Sequence, residues 1–138
     1  IDVALRFGTE GVGLYRTEFP YMARGDFPSR DDQYLLYRKV VEGFPGEPVT
    51  IRTLDIGGDK GLPYFQPPRE DNPFMGWRSV RVSLDNRDIF RTQIEAILLA
   101  GRHGQVRMLF PMISSMDEIH ACMEVINEAR NNLRREGL

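Results

Sequence analysis

The stretch Val49-Thr-Ile-Arg-Thr-Leu-Asp55 is the part of the chain that decides the fold class. It is short, mostly apolar and rich in β-branched residues, which is typical of a strand buried inside a sheet. Two further runs of this kind, residues 11–17 and 106–112, stand before and after it. The sequence therefore predicts three buried strands, each ending in residues suited to a loop.

Amphipathic helical patterns separate and follow these strands. Ser29 can cap a first helix that carries Asp32 in its first turn, and Asp85 is predicted to cap a second helix. Ser115 and Glu118 have the spacing of a capping box at the start of a third. Behind these caps, apolar residues at helical spacing predict core-facing surfaces: Tyr37, Val40, Val41 and Phe44; Ile89, Phe90, Ile94, Ile97 and Leu98, closed by Gly101; and Ile119, Cys122, Met123, Ile126, Ala129 and Leu133.

The order of strand and helix, repeated three times, indicates an α/β fold with right-handed crossovers and a parallel sheet. A doubly wound sheet and a (β/α)₈ TIM barrel both have this order. Since a complete barrel typically takes about 250 residues, the 138 residues of this chain would supply about three βα units of one, as a single unit over residues 1–138. Residues 2–8 resemble the end of a helix, and the chain stops after another helix, so we expect a piece of a longer protein.

The composition excludes several classes of protein. With 41% hydrophobic and 28% charged residues and a net charge of -2, the chain has the balance of a soluble globular protein without a broad surface for nucleic acid or membranes. Its apolar runs are too short to cross a bilayer, and it opens with no secretory signal. The single cysteine, Cys122, excludes an internal disulfide and predicts a reducing compartment, the cytoplasm.

Charged residues stand where the predicted strands end. Arg16 closes the first strand with Glu18 two positions on, and Arg52 lies in the second with Asp55 three positions on. A buried charge is costly unless it is paired, whereas a guanidinium at a barrel mouth can hold a phosphate or carboxylate through two parallel hydrogen bonds. The pattern alone fits two interpretations equally: an anion site, or internal ion pairs of Arg16 with Glu18 and of Arg52 with Asp55.

A long irregular segment rich in Gly and Pro, residues 56–77, follows the second strand. Connections of this length are usually functional, and in parallel α/β folds they leave the strand ends where ligands bind. The segment contains Gly57-Gly-Asp-Lys60, which permits a sharp turn or a close approach to a ligand but, taken alone, is an ordinary turn. Neither a Walker loop nor a dinucleotide fingerprint is present. Arg78, after Trp77, could equally be a stacked surface cation.

Four segments in this order carry a resemblance to a known family: Gly13-Leu-Tyr-Arg-Thr-Glu-Phe19, Thr50-Ile-Arg-Thr-Leu-Asp-Ile-Gly-Gly-Asp-Lys60, Asn72-Pro-Phe-Met-Gly-Trp-Arg78 and Arg107-Met-Leu-Phe-Pro-Met-Ile113. Together they resemble the barrel domain of the phosphoenolpyruvate–protein phosphotransferases, Enzyme I of the bacterial phosphotransferase system, in its sugar-transport form or its nitrogen-related paralogue. The resemblance covers almost the whole chain.

The resemblance implies that Arg16 and Arg52 bind the phosphate of phosphoenolpyruvate at the mouth of the barrel, with Arg78 near the same site. It also implies a loop that shapes this mouth, formed by Gly57, Gly58, Asp59 and Lys60. The parent enzyme would transfer the phosphoryl group to its own histidine, in a separate N-terminal domain, and on to a phosphocarrier protein. The family's barrel domain carries a homodimer interface.

The resemblance also implies what this chain does not contain. His103 and His120 match neither the phosphorylated histidine nor its motif. The family's Mg²⁺ is held by acidic residues on later strands, and its active-site cysteine lies further on, so Cys122 is interpreted as core packing. The chain is therefore predicted to have no catalytic residue and no metal ligand, and to be inactive alone.

Two alternatives to this assignment stay open at the level of the sequence. The chain could be a non-catalytic structural or dimerisation module of the same barrel, with purely structural ion pairs. It could also come from an enzyme of the pyruvate phosphate dikinase or phosphoenolpyruvate synthase type, which shares the barrel but usually has a histidine where this chain has Phe19. Three barrel strands alone would leave two edges uncovered, so we expect self-association or rearranged termini.

Overall fold

The computed structural model describes residues 1–57, 61–65 and 76–138. Within these ranges, three strands form one parallel sheet in chain order: β1 (Val12–Arg16), β2 (Val49–Arg52) and β3 (Val106–Leu109). Arg16 is the register partner of Arg52, and Arg52 is that of Leu109. Because the strands are parallel, their carboxyl ends lie together at one edge of the sheet.

Each strand is followed by one long helix, which confirms three βα units. The helices are α1 (Asp2–Arg6), α2 (Glu18–Met22), α3 (Arg30–Glu42), α4 (Val80–Asp85), α5 (Arg87–Ala100) and α6 (Met116–Arg135), with a 3₁₀ turn at Gly101–His103. The capping boxes that begin α3 and α6 are both formed, by Ser29 with Asp32 and by Ser115 with Glu118. No helix of the described ranges is long and apolar enough to cross a membrane.

The three long helices α3, α5 and α6 pack on the same face of the sheet. Val49 and Ile51 of β2 are buried against α3 and α5, and Met108 of β3 packs into the core clusters on this side. On the opposite face, Leu14 of β1 and Leu109 of β3 remain 43% and 39% exposed. A doubly wound sheet carries helices on both faces, so the one-sided arrangement, with strands in chain order, confirms the partial (β/α)₈ barrel.

Strands β2 and β3 each end three residues earlier than predicted, and β1 ends one residue earlier. Thr17 leaves the ladder to become the N-cap of α2, and the amide of Leu54 donates to the side chain of Gln93 rather than to a strand. The last ladder-like bond of β2 runs from the amide of Thr53 to the carbonyl of Leu109. The residues that follow β1 and β2 therefore bond outside the ladder, beside the sheet edge at which Arg16 and Arg52 lie.

Two predictions about the helices are wrong. Asp85 does not cap α5, because it ends the short helix α4 and accepts a hydrogen bond from the indole of Trp77. Asn86 takes the N-cap position of α5, without a side-chain capping bond. Ile119 and Met123 were expected to face the core but are exposed on α6, whereas Cys122 between them in the sequence is buried as predicted.

Candidate functional site

Arg16 and Arg52 lie side by side at the carboxyl ends of β1 and β2, where a single carboxylate contacts both guanidinium groups. Glu18, in the first turn of α2, accepts a 2.6 Å hydrogen bond at Oε1 from Arg52 Nη2. Its second oxygen, Oε2, lies 3.6 Å from Arg16 Nε. Glu18 is buried, so this contact is made away from bulk water, where charge attraction is stronger.

A second buried carboxylate extends the cluster to a third arginine. Asp55 Oδ2 lies 3.3 Å from Arg52 Nη1, and Asp55 Oδ1 lies 3.5 Å from Arg78 Nε. The hydroxyl of Ser79 also donates to Asp55 Oδ1. We call Arg16, Glu18, Arg52, Asp55 and Arg78 the arginine cluster. With three guanidinium groups against two carboxylates, it carries a formal charge of +1.

The three arginines differ in their access to solvent. The side chain of Arg16 is 60% exposed, whereas those of Arg52 and Arg78 are 15% and 12% exposed. Arg52 Nε is buried and has no hydrogen-bond partner among the described residues. A buried donor without a partner is costly, and an anionic oxygen is the kind of group that would satisfy it.

Both ion pairs that the sequence left open, Arg16 with Glu18 and Arg52 with Asp55, are present. They do not exclude an anion site, because one positive charge remains and the shared carboxylates hold the guanidinium groups in place. The surface-cation interpretation of Arg78 is wrong. Its side chain is nearly buried beside Asp55, while Trp77 stacks on Phe65 with ring centroids 5.8 Å apart.

The position of Arg78 depends on a close backbone contact with Gly57. The two residues form an antiparallel bridge, and Gly57 has a φ of +109°. A Cβ at this position would lie 2.7 Å from the carbonyl oxygen of Trp77, so only glycine fits. The other three residues predicted to shape the mouth, Gly58, Asp59 and Lys60, lie outside the described residues.

Sequence reasoning did not identify Thr17, Ser79 or Gln93 as parts of this region. All three are buried, and each donates or accepts a hydrogen bond at the ends of β1 and β2. Ser79 adopts a φ of 56°, which is uncommon for a residue other than glycine. The one local signal for Gln93 is that a polar residue stands among the apolar residues of α5, and this signal does not by itself connect it to the strand ends.

The described residues do not form a metal site. No group of three or more His, Cys, Asp or Glu side chains within them is placed to hold a metal ion. Both carboxylates of the arginine cluster are engaged by guanidinium groups. The part of the chain that the structure describes therefore does not fit the Mg²⁺ implied for the parent enzyme.

The remaining candidates for chemistry lie away from the arginine cluster. His103 contacts the hydroxyl of Tyr34 at 2.8 Å and the carboxylate of Glu42 at 3.2 Å, and His120 is exposed on α6. Burial raises the pKa of the Cys122 thiol to about 11, and the nearby carboxylate of Glu118 adds to this. A thiol with a raised pKa is a poor nucleophile at neutral pH.

Comparison with known proteins gives a family for the whole chain. The family model of the PEP-binding domain of PEP-utilising enzymes matches residues 1–138. Three similar proteins are each named phosphoenolpyruvate-protein phosphotransferase: those of Lactococcus lactis subsp. cremoris (51% identical over 133 residues, 95% of this chain), Geobacillus stearothermophilus (48% over 135 residues, 98% of this chain) and Mycoplasma pneumoniae (46% over 133 residues, 96% of this chain). The chain spans 23% of the length of each of these curated relatives. Since the family model matches every residue, the chain belongs to the PEP-binding domain family of PEP-utilising enzymes.

Proposed function

We propose that this chain binds the phosphate of phosphoenolpyruvate through Arg16 and Arg52, with Arg78 as a third cationic group, as part of a phosphoenolpyruvate–protein phosphotransferase. The observation that carries the proposal is the arginine cluster: three guanidinium groups gathered around two carboxylates at the carboxyl ends of parallel strands. Ligands of (β/α)₈ barrels bind at this end of the strands.

These arginines would bind the phosphoryl group of phosphoenolpyruvate and orient it for transfer. In phosphoryl transfer to a histidine, the P–O bond to the enolate breaks and a P–N bond forms. Catalysis of such reactions rests mainly on positioning and on neutralising charge on the phosphoryl oxygens. The exposed guanidinium of Arg16 can turn towards the ligand. Arg52 is held by Glu18 and Asp55, and Arg78 is held by Asp55, so these two side chains need little reorganisation. The loop beside these arginines would be shaped by Gly57, Gly58, Asp59 and Lys60.

The activity of the whole protein follows as a wider proposal, since the chain spans 23% of its relatives. The parent would be a transferase that passes the phosphoryl group to its own histidine and then to a phosphocarrier protein, in sugar transport or in nitrogen regulation. Its Mg²⁺ ligands, histidine and proton-donating cysteine would all lie outside this chain. We propose a cytoplasmic homodimer. The names of the relatives and Phe19 support a phosphotransferase over a dikinase-type enzyme.

Calorimetric titration of phosphoenolpyruvate into the chain tests the binding site. We expect binding by the unaltered chain and a loss of affinity of at least about tenfold in Arg16→Ala and in Arg52→Ala, because each removes a charge-assisted contact. Arg107→Ala is the matched control, since Arg107 is an exposed arginine of the same sheet that lies at the other end of β3. Circular dichroism establishes that each variant is folded.

Two results would count against the site. Equal affinity of Arg52→Ala and the unaltered chain would show that the cluster is a structural ion-pair network. An unaltered chain that is folded but does not bind would show that these arginines are not a site in this part of the barrel alone.

A further inference from the structure

Gln93 lies on α5, and its side-chain amide reaches the ends of both β1 and β2. It is 1% exposed. Its Oε1 accepts from the backbone amide of Leu54 at 2.9 Å, and its Nε2 donates to Thr17 Oγ1 at 3.2 Å. Thr17 in turn donates to the carbonyl of Arg52 at 3.0 Å. One buried amide therefore connects the segments that follow two neighbouring strands.

The two groups that Gln93 holds, the side-chain hydroxyl of Thr17 and the backbone amide of Leu54, belong to chain neighbours of the arginine cluster. Thr17 stands between Arg16 and Glu18, and Leu54 directly precedes Asp55. A shift of Thr17 or Leu54 therefore moves the backbone that carries these charged side chains. Because Leu54 comes after the last residue of β2, the Oε1 of Gln93 takes the place of the strand partner that its amide would have in a longer ladder.

The direction of each hydrogen bond around Gln93 is determined by its surroundings. The amide of Leu54 can only donate, so Oε1 must face it and both Nε2 protons point the other way. These protons go to Thr17 and to the hydroxyl of Tyr37, which lies 3.2 Å away. Burial raises the pKa of the Tyr37 phenol, so its proton is retained and is donated to Gln33 Oε1 at 3.0 Å.

Gln33 anchors the far end of this network without touching the strand ends. It is as buried as Gln93, at 1% exposed. Its Oε1 accepts from Tyr21 and Tyr37, and its Nε2 donates to the carbonyl of Pro28 at 3.0 Å. The two glutamines are equally buried, and each bonds through both its oxygen and its amino group, but only Gln93 contacts the residues next to the arginine cluster.

We propose that Gln93 is a positioning residue for the arginine cluster: by holding Thr17 and Leu54 together, its amide sets the distance and orientation of the guanidinium groups of Arg16 and Arg52 for a phosphate ligand. The ligand in this inference rests on the proposed function, whereas the positioning can be measured without any ligand. Supporting hydrogen bonds of this kind keep the groups of a site in the geometry that binding requires.

Gln93→Met tests the proposal, because methionine has a similar length but cannot bond to Leu54 or Thr17. Gln33→Met is the matched control. The first readout is the ¹⁵N NMR signal of Arg52 Nε–H together with the Leu54 amide, assigned with an Arg52→Lys variant and recorded without ligand. The second is the calorimetric affinity for phosphoenolpyruvate, and thermal unfolding gives the stability of each variant.

We expect both NMR signals to move in Gln93→Met and to stay in place in Gln33→Met, at a similar loss of stability. The affinity should fall at least about tenfold in Gln93→Met alone. The proposal is overturned if the two variants move the signals equally, or if Gln93→Met moves neither. If the unaltered chain does not bind phosphoenolpyruvate, the proposed function fails in this chain, and the two NMR signals alone still decide whether Gln93 positions the cluster.

Discussion

Glu18 and Asp55 show why a cluster of arginines can exist at a buried strand end. Each carboxylate contacts two guanidinium groups, so Arg52 is held from both sides and its desolvation is offset by two opposite charges. An isolated guanidinium in this place would be costly. The carboxylates also lower the formal charge of the cluster to +1, which reduces the repulsion among its three guanidinium groups.

Removing the charge of Glu18 should therefore destabilise the fold. In Glu18→Gln, Arg52 keeps a neutral acceptor but loses its nearest countercharge, the one 2.6 Å from Nη2. We expect the free energy of unfolding to fall by about 2 kcal/mol, measured by urea denaturation. Glu10→Gln, at an exposed position before β1, should change it little. Equal stability of Glu18→Gln and the unaltered chain would contradict a buried, coupled cluster.

The sequence identified the residues of this cluster better than the residues that support it. Arg16 and Arg52 stood out because a charge at the end of an apolar strand needs an explanation, and the structure brings them together in register. Ser79 and Gln93 could not be assigned to the cluster from local pattern. Their partners lie 24 and 39 residues away in the chain, at Asp55 and Leu54, and only the folded sheet brings them together.

Helix α6 begins with a complete capping box, formed by Ser115 and Glu118. Ser115 accepts from the amide of Glu118, and the Glu118 carboxylate accepts from the amides of Ser114 and Ser115. Ser115→Ala should lower the free energy of unfolding by about 1 kcal/mol, because one amide at the start of the helix loses its acceptor. Asn127→Ala, exposed in the middle of the same helix, is the control for the change to alanine. Similar losses in both variants would contradict a capping role.

The same box makes α6 sensitive to pH. The hydrogen bond from the Ser114 amide is the main cause that holds the pKa of Glu118 below its usual value of 4.5, and Arg81 adds to it. A lowered folded-state pKa means that the contribution of Glu118 is complete above pH 4.5 and is lost as the pH falls through the folded value. The stability difference between the unaltered chain and Glu118→Gln should therefore shrink in acid. A difference that stays constant from pH 7 to pH 3, in urea titrations, would contradict this linkage.

The segment after β2 depends on glycine at one position. Gly57→Ala would place a Cβ 2.7 Å from the Trp77 carbonyl in a backbone conformation that alanine rarely adopts. We expect a loss of more than about 1 kcal/mol and a changed emission of Trp77, the single tryptophan of the chain. Gly61→Ala is the matched control in the same segment, since a Cβ there meets no atom of the described residues within 4 Å. Unchanged emission in Gly57→Ala would show that the bridge to Arg78 does not need glycine.

The three long helices were predictable, whereas the short helices α2 and α4 were not. The stripes of α3, α5 and α6 bury apolar residues such as Tyr37, Ile94 and Ile126, and that periodicity is visible in the sequence. The helices α2 and α4 have five and six residues, too short for a periodic pattern. They exist because tertiary contacts hold them, as when Tyr21 of α2 and Val82 of α4 pack into one core cluster.

For the whole molecule, the one-sided sheet leads to a prediction about association. Within the described ranges, β1 and β3 each pair on one side only, and Leu14 and Leu109 are exposed on the face opposite the helices. Ala4 of α1 packs against the core on the helix side, which does not cover that face. Unpaired edges and an exposed apolar face favour pairing with another chain. Of the two outcomes that the sequence left open, we therefore expect self-association.

Size-exclusion chromatography with multi-angle scattering should show a mass that rises with concentration above that of the 15.9 kDa chain. Replacing Leu14 and Leu109 together by lysine should shift the chain towards the monomer, because two charges cannot be buried against a second sheet without partners. Leu35→Lys, which changes an exposed leucine on the outer side of α3, should leave the mass distribution as it was. A monomer at every concentration would show that three barrel strands can stay uncovered. A mass that falls only in Leu35→Lys would show that the chains associate through their helices and not through the exposed face of the sheet.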